Sequence, residues 1–80
     1  MKLKWRDYGA GVWQADGLCY VLWAIPSEGG VVAQAGFGGE KNAKRGFATA
    51  DEAKREAEQM LARMVAAMEE RIKQIKEQLS

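Results

Sequence analysis

The stretch 49–79, TADEAKREAEQMLARMVAAMEERIKQIKEQL, contains no Gly and no Pro. Ala, Glu, Lys, Arg, Gln, Met and Leu dominate it, and these residues lose little conformational freedom in a helix. Thr49 followed by Glu52 is a capping-box pattern. The hydroxyl accepts from the backbone N–H of residue 52, and the Glu52 carboxylate accepts from that of residue 49. Asp51 and Glu52 also suit the positive end of the helix dipole. The pattern predicts one helix over 50–79.

The apolar residues of that helix are Ala53, Ala57, Met60, Leu61, Met64, Val65, Met68, Ile72, Ile75 and Leu79. At about 100° per residue they form one stripe. From 53 to 68 the stripe is wide, as a helix lying on a sheet requires. From Leu61 onward it also reads as a heptad seam, Leu61, Val65, Met68, Ile72, Ile75 and Leu79, flanked by Glu69, Arg71, Lys73, Lys76 and Glu77. Such a helix is about 45 Å long, at about 1.5 Å per residue. A seven-residue strand spans only about 23 Å. The second half of the helix therefore outruns its sheet. Its seam, Met68, Ile72, Ile75 and Leu79, either frays in water or meets another chain. A second copy, giving a homodimer, offers self-complementary burial; docking on a host protein is the competing outcome.

Eighty residues make one domain. A core of this size is marginal and gains from oligomerisation. An apolar fraction of 48% is too high for a disordered chain. A single cysteine, Cys19, permits no intrachain disulfide and suits a reducing compartment. No run is long enough to span a membrane, and MKLKWRDYGAG lacks the apolar centre of a signal peptide. The expected location is cytoplasmic. The net charge of +1 implies no polyanionic partner, and from Tyr8 to Gly39 there is no Lys or Arg.

Ahead of the helix the pattern alternates. Strands are expected over 2–8, with Leu3 and Trp5 opposite Lys4 and Arg6, and over 12–15. Asp16-Gly17 reads as a hairpin turn. Residues 18–25, LCYVLWAI, are the clearest strand; Pro26 ends it, and Ser27-Glu28-Gly29-Gly30 turns into a strand over 31–37. The central strand is apolar on both faces, Leu18, Tyr20, Leu22 and Ala24 on one and Cys19, Val21, Trp23 and Ile25 on the other. One helix covers one face. Either Trp5, Trp13 and their neighbours cover part of the second, or that face is a binding surface. Residues 38–48, GGEKNAKRGFA, read as a flexible basic loop, with Phe47 plugging the core. Lys41, Lys44 and Arg45 are its candidate partner-binding residues; a solvated loop is the plain alternative.

Nothing here has the pattern of an active site. There is no histidine, so the commonest general base and metal ligand is missing. Cys19 lies in an apolar stretch, where a thiol is inert packing. The glycines of GFGGEKNAKRG do not match a phosphate-binding loop. The acidic residues of the helix read as a solvated face, with pairs such as Asp51–Arg55 and Glu69–Lys73. Met60, Met64 and Met68 read as core filling, or as an adaptable binding groove. The expectation is a non-enzyme without cofactor or metal.

Residues Gly46-Phe47-Ala48-Thr49-Ala50-Asp51-Glu52-Ala53-Lys54, with Ala57, resemble the sheet-to-helix junction of the arm-site DNA-binding domain of phage tyrosine recombinases. That resemblance implies a three-stranded sheet that reads the major groove. Strands 12–15, 18–25 and 31–37 carry none of the cations such a sheet turns toward phosphates, so specific DNA binding is not expected. Over most of its length the chain is similar to small phage and prophage proteins. It shares with them a Trp-bearing first strand, the Trp13-Gln14-Ala15 strand, Tyr20 and the Gly46-Phe47 helix entry. That class includes anti-CRISPR inhibitors, which implies a host protein or ribonucleoprotein complex as partner. The expected fold is α+β, an antiparallel meander of three to four strands (sheet 2–37, basic loop 38–48) packed on one long C-terminal helix (50–79). The expected function is a non-enzymatic protein-binding module, and the resemblance to small phage proteins implies a phage-encoded inhibitor of a host defence complex. The alternative is a small DNA-binding module of the recombinase-arm type.

Overall fold

A computed structural model describes residues 3–80. The capping box forms: Thr49 Oγ1 accepts from the Glu52 N–H at 3.2 Å, and Glu52 Oε1 accepts from the Thr49 N–H at 3.2 Å. It starts α1, Ala50–Leu79. Ahead of it run β1 (Arg6–Asp7), β2 (Trp13–Gly17), β3 (Tyr20–Ser27), β4 (Gly30–Phe37) and β5 (Glu40–Phe47). They form one antiparallel meander in the order β1-β2-β3-β4-β5. With α1 packed on the sheet, the fold class is α+β.

Several boundaries differ from the sequence expectation, each for a local reason. The basic loop 38–48 is instead a fifth strand, β5, at the edge of the sheet. Its residues alternate no apolar side chains because nearly all of them face water. The strand expected over 2–8 pairs only at Arg6 and Asp7, opposite Gln14 and Trp13; residue 2 lies outside the described residues. The β2–β3 hairpin turns at Leu18-Cys19, so Asp16 and Gly17 pair with Val21 and Tyr20. Gly17 serves by lacking a side chain: a Cβ there would lie 2.5 Å from the Tyr20 ring. Cys19 takes the positive φ of the turn, at 69°, and is exposed, not packed inside a strand. Pro26 does not end β3, which continues to Ser27 opposite Gly30. It sits beyond the last β2 partner, Trp13 opposite Ala24, so its missing N–H breaks no ladder bond on that side.

The core lies between α1 and one face of the sheet. Ala15, Leu22, Ala24, Ala33 and Ala35 meet Ala53, Ala57, Met60, Leu61 and Met64. Phe47 packs against this core, as expected of it, and Met60 and Met64 are core residues. Trp5 and Trp13 also pack on this side, so of the two readings of the second face the one in which they cover it does not hold. The Lys54 ammonium lies 3.4 Å above the Trp13 ring centroid and 5.9 Å from that of Trp5. The Trp5 indole N–H donates to Glu58 Oε2 at 2.8 Å. Asp51 pairs with Lys54 at 3.7 Å rather than with Arg55. Glu69 and Lys73 form no ion pair among the described residues, whereas Arg71 reaches Glu40 at 3.1 Å. No helix of the described residues is long and apolar enough to cross a membrane.

Candidate partner-binding surface

Alternation along a strand sends neighbouring side chains to opposite faces. Leu22 and Ala24 are buried under α1, so Val21, Trp23 and Ile25 point away from it. The register extends this second face across the sheet. Asp16, Val21, Gly36 and Lys41 form one row. Arg6, Gln14, Trp23, Gln34 and Ala43 form the next. Ile25 and Val32 pair beyond them.

The centre of this face is apolar and its margins are charged. Val21, Trp23 and Ile25 are half-buried, and Val32 is buried by its neighbours. The Tyr8 ring leans toward Trp23, with centroids 6.2 Å apart at 42°, yet 56% of Tyr8 stays exposed. At the β1–β2 margin, Arg6 and Asp16 lie 3.9 Å apart, both largely in water, where such a pair adds little stability. Small residues hollow out the other side. Gly36 and Ala43 leave a groove of ≈ 310 Å³, walled by Val21 and Trp23 on one side and by Lys41 and Asn42 on the other. A Cβ added at Gly36 would meet Val21 Cγ1 at 3.5 Å and Lys41 Cγ at 3.7 Å, both ordinary contacts. The groove is open because Gly36 has no side chain to fill it.

The three basic residues expected to act together are not brought together. Lys41 pairs with Gly36 and borders the groove. Lys44, opposite Ala33, faces the helix side, where it lines a separate cleft with Glu56, Met60 and Arg63. Arg45 falls in a bulge, where β5 passes from Lys44 opposite Ala33 to Phe47 opposite Val31 with one residue more than β4. Gly46, at φ 93°, accommodates the bend. Cations along an exposed edge also discourage another strand from pairing there. The second expected surface, the seam, divides: Met68 is half-buried at the sheet end, while Ile72, Ile75 and Leu79 are exposed at 44%, 54% and 81%.

Tyr8, Gln34, Gly36 and Ala43 were not singled out in the sequence. The first lies just beyond a short strand, and the others become one surface only once β5 pairs with β4. Among the described residues, no group of three His, Cys, Asp or Glu side chains is placed to hold a metal ion. Compared with known proteins, the chain matches no family model, no curated protein and no solved structure.

Proposed function

We propose that the protein is a non-enzymatic protein-binding module that holds its partner on the open face of the sheet and self-associates through its helix tail. One observation carries the reading: Trp23, Val21 and Ile25, beside the buried Val32, form a contiguous apolar patch on the face that α1 leaves uncovered, and the three stay half-exposed. A partner suited to it is a protein that inserts an apolar side chain into the groove over Gly36 and sets an acidic group against Lys41. An inhibitor of a host defence complex is the form of such a module that the resemblance to small phage proteins implies.

Gly36→Gln fills the groove at a position whose backbone any residue adopts and whose neighbours leave room. Affinity capture from a bacterial lysate with wild type and this variant tests the reading. The expected result is a protein partner whose retention falls at least about tenfold with Gly36→Gln, the scale of losing one anchor contact. Lys41→Glu should weaken capture as well, whereas Lys44→Glu, on the helix side, should not. Equal capture by wild type and Gly36→Gln would remove the groove from the site. A discrete complex with duplex DNA at physiological salt would turn the reading toward the recombinase-arm alternative.

A further inference from the structure

We infer that two copies of the chain pair through their helix tails in an antiparallel arrangement, Met68 against the partner's Leu79 and Ile72 against the partner's Ile75. This rests on the self-association in the reading above and specifies its geometry. At about 100° per residue, Met68, Ile72, Ile75 and Leu79 fall within about 60° of one another. They continue the line of Ala57 and Leu61, which are buried on the sheet. The sheet ends beneath Met68, whose Cε would lie 3.5 Å from a Cβ at Gly38. Arg71 is the last helix residue joined to the sheet by an ion pair, at 3.1 Å to Glu40. Past it the seam hangs over open space. The Gly38 N–H donates to the Cys19 carbonyl at 3.3 Å, so the Leu18-Cys19 turn lies at this same end of the sheet. Leu18 there is 90% exposed. Leu18, Ile72, Ile75 and Leu79 are thus exposed apolar side chains at or beyond the same end of the sheet.

The seam faces the side on which the sheet lies, and this decides the direction of pairing. Two helices in contact are about 8–10 Å apart. A parallel partner would carry its own sheet into the space that this sheet occupies. An antiparallel partner places its sheet at the far end and on the opposite side. Charge agrees. With Met68 and Ile75 at d and Ile72 and Leu79 at a, the flanking residues are Glu69 and Lys76 at e, and Arg71 and Gln78 at g. Parallel pairing would set Arg71 against the partner's Lys76 twice. Antiparallel pairing sets Glu69 against the partner's Lys76 twice, and Arg71 against the partner's Gln78 twice. The register follows from burial. One heptad toward the sheet, the partner would need Leu61, which is already buried; one heptad outward, only Ile75 and Leu79 remain. The chosen register uses every exposed seam residue. The two open sheet faces then point in opposite directions, so the dimer binds two partner molecules rather than one.

Sedimentation equilibrium on the full chain, from about 10 µM to about 1 mM, tests the arrangement; a contact this short belongs below the standard interface size and is correspondingly weak. Wild type should dimerise in that range. Lys76→Glu should raise the dissociation constant about tenfold, because symmetry doubles each lost pair and each new repulsion. Glu69→Lys combined with Lys76→Glu should restore it. Parallel pairing gives the opposite sign for Lys76→Glu, which would then oppose Arg71 and tighten the dimer. Tightening, no change, or failure of the charge swap to restore association would overturn the antiparallel register. A wild-type protein that stays monomeric throughout would overturn self-association itself, and would leave the sheet-face reading to its own test.

Discussion

The two faces of the sheet differ most at their centres, alanine-rich under the helix and built around Trp23 on the open side. Under the helix, four of the five core positions are alanines, Ala15, Ala24, Ala33 and Ala35, and α1 answers with Ala53 and Ala57. Leu22 and Leu61 are the largest side chains that are fully buried. Small residues let helix and sheet approach closely, but each removes little apolar area from water. Across the same strands, the uncovered face carries Trp23, Val21 and Ile25, half in water. Burial here follows position and not hydrophobicity alone: the large side chains of the covered face, Trp13, Tyr20, Val31, Phe37 and Phe47, pack around the alanines, whereas Trp23 has no helix above it. At the edge, Trp13 shares the covered face with Ala15 and Ala24, and Lys54 of the helix lies over its ring.

The sharpest way to break this comparison is to truncate neighbouring residues on opposite faces. Leu22→Ala should cost about 2–5 kcal/mol, the range for a fully buried leucine. Trp23→Ala, one residue on, should cost about 1–2 kcal/mol despite removing more atoms, because part of its surface is already wet. Urea unfolding of the pair reads both values. Equal losses would mean that the second face is as much a core as the first.

A smaller effect is expected from adding volume under the helix. Ala35→Leu should destabilise by about 1–3 kcal/mol through overpacking. Gly36→Gln, its neighbour on the open face, should be close to neutral by the same measurement. An Ala35→Leu chain as stable as wild type would show slack between helix and sheet that the alanine-rich packing denies.

The smallest effect concerns the margin. Lys54→Met keeps the length of the side chain and removes its charge from above Trp13, so a loss of about 0.5–1 kcal/mol is expected, the usual worth of such a contact near the surface. A lower thermal midpoint, with a change in tryptophan fluorescence, is the signature to look for. No change in either would separate the tryptophans from the helix energetically.

What could be read without the structure was whatever depends on near neighbours in the chain. The helix from 50 to 79 was legible from its cap and period, because Thr49 and Glu52 satisfy each other within one turn. The overhang was legible from length alone, since a helix rises by a fixed amount per residue. Leu22 and Ala24 against Val21, Trp23 and Ile25 was legible because alternation needs no partner strand. The rest depended on pairing. EKNAKRGF is a strand only because β4 offers hydrogen bonds to one of its edges; an exposed edge strand imposes no apolar pattern on its own sequence. The side taken by Trp5 and Trp13 was settled by where the helix passes. The groove over Gly36 needed three strands in register before its walls existed. Local hydrogen bonding and periodicity are written in consecutive residues, whereas register and coverage are chosen by the whole chain as it packs.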